Sequence, residues 1–265
     1  QEFIVNIRNT IKHKFFKIGN SIHDSLLGLI HNMQNMEKLA KSPDVSDLKD
    51  KYKGFPAFVV AAGPSLDKNI EELKRIQNKG IIIAVDTIAD KLVKNGIIPD
   101  FLSSVERVLV WETFIENKSY PDTMYLVGPP LLQPQVVERF SPRTLLPMRH
   151  SVREYFWLSE ILGLSEDYKI WMGSCCAHVA MGTALHLGAS PIVLVGQDLA
   201  YGEDKEKAHA SGTAYDEVGL VDECEDISAV EGYYGNDVRT HELWQGFKIM
   251  FEDIIKTLPP DTVIN

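Results

Sequence analysis

Three short stretches carry the residue types that do chemistry. Gly63-Pro64-Ser65-Leu66-Asp67 follows the apolar run 57–62 and precedes a helical pattern. A glycine there lets a ligand approach the backbone, Ser65 or Asp67 is placed to cap the helix, and a helix N-terminus favours an anion, so the turn suits a phosphate. It reads equally well as an ordinary capped strand-to-helix turn, and it is neither a Walker A loop nor a GxGxxG fingerprint. Gly173-Ser174 repeats the arrangement ahead of a helix rich in small residues, with Ser174 as the expected cap. Close packing of that helix on a sheet is its plain reading; two phosphate-competent helix starts facing one cleft is the functional one. Gly196-Gln197-Asp198, followed by Tyr201 and Gly202, ends the apolar run 191–195. Gln and Asp at the end of an apolar strand suit ligand hydroxyls or a base edge better than packing, so Asp198 is expected to serve a ligand rather than the fold. Asp86 and Glu106 end two further apolar runs; each either faces the same edge or caps the helix after it.

Candidates for proton transfer come from the eight histidines. His209 lies in the small-residue loop Ala208–Gly212, the kind of segment that closes over a ligand, and His241 begins the last helical pattern. His209 is preferred as the base by a small margin. His178 reads as packing, and the remaining histidines as surface or satisfied core. The cysteines are Cys175, Cys176 and Cys224, an odd, sparse set without zinc-knuckle spacing. Small buried thiols in a reducing cytoplasm fit them better than a metal site or a disulfide framework.

The elements that position these residues follow from the hydrophobic pattern. Runs at 57–62, 81–85, 101–105, 123–127, 144–146, 168–172 and 191–195 read as strands, with helical patterns between most of them. Continuous apolar strands alternating with helices predict a Rossmann-like α/β three-layer sandwich around a mostly parallel sheet. In such sheets ligands bind outside the carboxyl ends of the strands, where all the candidates above would converge. Ahead of this core (53–265) stands a helical lead-in (1–52), read as the end of an upstream domain. Its apolar residues Ile4, Ile7, Ile11, Phe15, Ile18, Ile22, Leu26, Leu29, Ile30 and Met33 recur at helical spacing.

The 265 residues, 45% of them hydrophobic and 24% charged, describe a globular chain with no apolar run long enough to span a bilayer. A formal charge of −10 makes nucleic acid a poor partner, though local N–H groups hold a phosphate whatever the total charge.

At AAGPSLD, AVD, PDFLSSVE, GSCCAHVAMGTALHLGASPIVLVGQDLAYG and HASG the chain resembles the motility-associated accessory factors, flagellin glycosyltransferases that share their core domain with an archaeal 6-hydroxymethylpterin diphosphokinase. The resemblance runs from about Phe55 onward, and GPSL and GQDLAY are its specific parts. More distantly the same landmarks are similar to bacterial sialyltransferases that use a CMP-sugar. The resemblance implies transfer of a nonulosonic sugar from its CMP donor to a Ser or Thr of flagellin, in the cytoplasm. It places the nucleotide on Gly63, Pro64, Ser65, Gly173 and Ser174. Asp86 matches a ligand-facing Asn of the sialyltransferase pattern, and Glu106 stands where the accessory factors more usually have Asp. The base stays open: the accessory factors show a His-Ala pair like His209-Ala210, whereas sialyltransferases favour the neighbourhood 236–241. Family members usually continue past a stretch like Thr262–Asn265 into Thr-Glu-Gly-Gly, so part of the site is expected beyond Asn265, as the natural beginning is before Gln1. Two alternatives remain: ATP-dependent pyrophosphate transfer to a pterin alcohol, with Mg2+ on Asp86, Glu106 or Asp198, and a nucleotide-binding module of flagellar assembly without catalysis.

Overall fold

The runs Ala57–Val60 (β1), Ile81–Val85 (β2), Phe101–Ser103 (β3), Tyr125–Val127 (β4), Thr144–Leu145 (β5) and Ile192–Val195 (β8) form strands of one sheet in the computed structural model, which describes residues 21–150, 153–202, 207–218 and 227–265. Val263–Ile264 (β11) completes it, in the order β11-β8-β1-β2-β3-β4-β5, with every neighbouring pair parallel. Alternate side chains of a strand point to opposite faces, and β2 is buried at all five positions, so both faces of the sheet are covered. The architecture is the expected three-layer α/β sandwich. Its strand order reverses at β1: β2 to β5 build outward on one side and β8 returns to the other, so the crevice at the carboxyl ends of β1 and β8 is the topological switch point.

The run 168–172 departs from expectation. Only Lys169–Ile170 (β7) is a strand, and it pairs with Met148–Arg149 (β6) in a separate two-stranded sheet. The helix after it, α6 (Cys176–His186), still reaches the main sheet and packs on β1, β2, β3 and β4. Its small residues permit this: a Cβ on Gly182 would lie 1.8 Å from the Trp171 carbonyl oxygen.

The described part of the lead-in is α1 (Ile22–Lys41), capped by Ser21, whose hydroxyl accepts the Asp24 N–H at 3.1 Å. Its apolar stripe does not face the core. Ile22, Leu26, Leu29, Ile30 and Met33 are exposed, and Gly28, His31, Asn35 and Leu39 are buried instead. Polar bonding sets that orientation. Asn35 Nδ2 donates to the Pro130 and Leu132 carbonyls, 2.9 Å each, and His31 Nδ1 lies 3.1 Å from the Leu131 oxygen. The stripe's earlier members, Ile4 to Ile18, lie outside the described residues. Among those described, no helix is long and apolar enough to cross a membrane.

The remaining helices that bear on the site are α2 (Leu66–Ile76), α3 (Asp86–Lys94), α4 (Pro134–Phe140), α5 (Arg153–Leu162), α7 (Ala214–Val218) and α8 (Glu242–Ile255). A polar hairpin of Ile227–Glu231 (β9) and Asp237–His241 (β10) leads into α8. Neither hairpin strand is an apolar run, which is why the sequence pattern does not reveal it.

Candidate functional site

The turn after β1 meets the turn after β8 directly. Ala61 N–H donates to Val195 O at 2.8 Å and Gly63 N–H to Gly196 O at 2.8 Å. Gly196 adopts φ +69°, which turns the chain so that Asp198 lies over Gly63. Asp198 Oδ2 accepts the Ser65 N–H at 2.9 Å. The acceptor at the start of α2 is therefore Asp198, from 133 residues away, whereas the Ser65 side chain makes no capping bond. A carboxylate at a helix N-terminus is favoured by the exposed N–H groups and the dipole. The neighbouring donors are used as well: Leu66 N–H bonds to Gly63 O and Asp67 N–H to Pro64 O. A phosphate arriving at Gly63-Pro64-Ser65 thus meets a position already held by a protein carboxylate.

The second turn is satisfied differently. His178, two residues inside α6, folds back so that Nδ1 accepts the N–H of Ser174 (3.1 Å) and of Cys175 (3.3 Å), while Nε2–H donates to Phe247 O at 3.1 Å. This places the imidazole proton on Nε2. The ring is fully buried, and burial lowers its pKa to about 4, against the partial support of the Phe247 carbonyl. Gly173 makes room for it: a Cβ there would lie 2.5 Å from the ring. Ser174, the expected cap, sends its hydroxyl to Met250 Sδ at 3.3 Å instead. A shallow depression of about 200 Å3, lined by Trp171, Met250, Asp253 and Ile254, opens beside this contact.

The start of α6 does converge with the ends of β2 and β3. Buried Asp86 accepts Ser104 Oγ–H at 2.6 Å and Cys176 Sγ–H at 3.4 Å on Oδ2, and Thr87 N–H at 2.8 Å on Oδ1. Burial raises its carboxyl despite these bonds, and it likewise pushes the Cys175 thiol to about 12 and the Cys176 thiol well up. Both thiols are poor nucleophiles at neutral pH, in keeping with packing. Cys224 lies outside the described residues. Glu106 keeps solvent contact at this edge, yet the protein packed around it raises its carboxyl, with Asp86 adding to the effect and Arg107 opposing it. The carboxylates expected to share magnesium have other engagements in Asp86 and Asp198. Among the described residues no three His, Cys, Asp or Glu side chains are grouped to hold a metal ion.

Around the switch-point crevice the structure brings together both histidines between which the sequence left the base open. The His241 ring lies 4.0 Å from Trp244 (centroid to centroid) and that of His209 lies 6.4 Å from it. The Tyr201 ring lies tilted at 5.1 Å from the same indole, and Tyr215 meets His209 edge-on at 4.3 Å. His241 is buried and caps α8, its Nδ1 accepting the Trp244 N–H at 3.4 Å. His209 is half-buried on a loop pinned to the end of β1 by Ala210 N–H to Ala62 O at 2.7 Å. Backbone and hydroxyl bonds, Tyr201 N–H to Arg239 O (2.8 Å) and Thr240 Oγ–H to Leu199 O (2.7 Å), fasten the β8 turn to the hairpin. Gln197 Oε1, on the loop after β8, and Thr213 Oγ1, just before α7, are buried without a hydrogen-bond partner among the described residues. Trp244 and Thr213 carry no motif, and their place in the site is legible only in three dimensions.

The fold and this crevice define a doubly wound α/β protein with its loops gathered at the switch point. Residues 30–204 match the family described as "6-hydroxymethylpterin diphosphokinase MptE-like", and the chain belongs to that family. A 75-residue stretch is 35% identical to the 6-hydroxymethyl-7,8-dihydropterin pyrophosphokinase of Methanocaldococcus jannaschii, covering 27% of this chain and 31% of that protein. The structure of a Maf glycosyltransferase from Magnetospirillum magneticum AMB-1 is similar in fold, with a TM-score of 0.61 at 20% identity, over 86% of this chain and 35% of that one. The matches thus span about a third of either relative.

Proposed function

We propose that the chain is the core of a transferase that moves a nonulosonic sugar from a CMP donor to a Ser or Thr hydroxyl of flagellin. The observation that carries this reading is the ring cluster at the switch point: His209, Tyr201 and His241 gathered on Trp244 beside Gln197 and Asp198. Aromatic faces with hydroxyl-reading groups beside them suit a sugar or a base, and an imidazole suits removal of the acceptor proton. The likeness to the Maf glycosyltransferase over most of the chain supports it. In this reading the acceptor oxygen forms its bond to the anomeric carbon as the bond to the CMP phosphate breaks. His209 takes the acceptor proton, and the departing phosphate is met at the switch-point crevice only if it displaces Asp198 from the Ser65 N–H. The sparse cysteines fit a cytoplasmic setting.

A second reading is favoured by the family match and the Methanocaldococcus jannaschii relative: pyrophosphate transfer from ATP to a pterin alcohol. One panel separates the two. The protein is incubated with a CMP-nonulosonate plus a flagellin peptide, and separately with ATP, Mg2+ and hydroxymethylpterin, and products are read by mass. A glycosylated peptide supports the first reading and a pterin diphosphate moves the chain to the second. Nucleotide binding with neither product nor donor hydrolysis leaves a binding module.

A further inference from the structure

An aspartate in the first turn of a helix ordinarily serves its own helix. Asp67 does not. Its two oxygens reach two other elements: Lys91 on α3 through Oδ1, and the loop 207–212, where Lys207 Nζ lies 2.6 Å from Oδ2 and the Ser211 N–H lies 3.0 and 3.2 Å from the two oxygens. Lys207 also donates to Ser211 Oγ, which draws the two ends of the loop together around His209. Ala210 N–H to Ala62 O fixes the loop just past the end of β1, and Gly202 N–H to Lys207 O ties it to the β8 turn. His209 sits between these anchor points, with its ring on Tyr215 and toward Trp244.

We propose that Asp67 is a positioning residue: its carboxylate latches the loop that carries His209 onto the β1–α2 turn and so sets where that imidazole stands over the crevice. Its consequence for transfer rests on the reading of His209 as the base, but the latch itself does not. Charge-assisted bonds from two ammonium groups and a backbone N–H are stronger than neutral ones, and here all three converge on one carboxylate. Burial alone would raise the Asp67 carboxyl; the Lys207, Lys91 and Ser211 bonds outweigh it and hold it well below the usual range, so the latch stays charged throughout the neutral range.

The test uses the whole chain. Amide exchange of residues 207–212 and the His209 Cε1–H resonance are compared in wild type, Asp67→Ala and Asp67→Glu. The expected result in Asp67→Ala is exchange faster by at least about tenfold in that loop, unchanged exchange in β2, and a His209 resonance moved toward its free-imidazole position. Asp67→Glu should recover part of both. In the transfer assay kcat should fall while the donor KM holds. Loop exchange and His209 resonance at wild-type values in Asp67→Ala overturn the latch. A moved resonance with unchanged kcat removes its role in transfer. If the wild type transfers nothing, the exchange and resonance arms still decide the latch, and the failure belongs to the proposed function. Should Asp67→Ala not fold, Lys207→Met, at a partly exposed position, is expected to loosen the same loop, and a loop unaltered by that substitution likewise overturns the latch.

Discussion

The carboxylate of Asp198 occupies the space in which a side chain on Gly63 would stand: a Cβ built there lies 2.1 Å from Asp198 Oδ2 and 2.5 Å from Gly196 O. Gly63→Ala should therefore destabilise the protein by about 1–3 kcal/mol, the usual cost of overpacking, with or without nucleotide. Urea unfolding checks this. Because Gly196 O belongs to backbone, Gly63→Ala should cost less in an Asp198→Ala background than in the wild type, but should still cost something. A loss of binding in a Gly63 variant is thus evidence about ligand only when the variant is shown to keep the wild-type stability.

Among the described residues Asp198 has one hydrogen-bond partner, Ser65 N–H. Asp198→Asn keeps an oxygen for that donor, and Asp198→Ala leaves it unmade, so alanine should cost about 1–3 kcal/mol more stability than asparagine. Transfer that falls about tenfold in a stable Asp198→Asn protein would place the charge itself in the reaction.

His178 predicts a pH dependence. Its imidazole is neutral in the fold with a pKa of about 4, whereas in the unfolded chain it titrates near 6.5. Stability from this group is complete above about pH 6.5 and is lost as pH falls toward 4, because the unfolded chain binds the proton first. The slope is about 1.4 kcal/mol per pH unit, roughly 3 kcal/mol over the window. His178→Gln should be less stable at pH 7, having lost the ring's packing, but flatter between pH 7 and 5. Equal slopes in the two proteins would remove His178 as the source.

The two candidate bases differ in what else they do. His241→Ala removes the acceptor for the Trp244 N–H at the start of α8 and should cost about 1 kcal/mol, while His241→Asn supplies another cap and should restore it. His209→Ala gives up the ring contact with Tyr215, so it should lower stability by about 1 kcal/mol, and it should abolish transfer. Activity retained in His209→Ala and absent from a stable His241→Asn protein would transfer the role to His241.

Asn35→Ala tests how α1 is held. It leaves the Pro130 and Leu132 carbonyls without their donor, so a loss of about 1–3 kcal/mol in urea unfolding is expected.

The long apolar runs were legible as strands because a strand buried on both faces has no polar positions, and β2 matches its run residue for residue. The run 168–172 looked the same yet joined β6, since an apolar run states that a strand is buried but not against which sheet. The turns at Ser65 and Ser174 were legible as helix starts, whereas their acceptors were not: serine is a common local cap, but here Asp198 and His178 arrive through tertiary packing and from within the helix. The outward stripe of α1 has a similar cause. Periodicity predicted a face, and two buried bonds from Asn35 decided which face turned inward. His209 and His241 were legible as candidates; that they share Trp244 depends on the hairpin delivering His241 to the crevice, and its polar strands gave no pattern to read.

The strand order has a consequence for how the chain is made. β1 pairs on one side with β2, only some twenty residues later, but on the other with β8, which begins about 130 residues after β1 ends. On a ribosome adding roughly 5–20 residues each second, that flank of β1 waits on the order of ten seconds for its neighbour, with its backbone donors and acceptors open to any extended segment nearby. The segment 57–127 can assemble β1 to β4 as it emerges, but the crevice between β1 and β8, together with everything that Gly63 and Asp198 arrange there, comes into being only after residue 195 has cleared the exit tunnel.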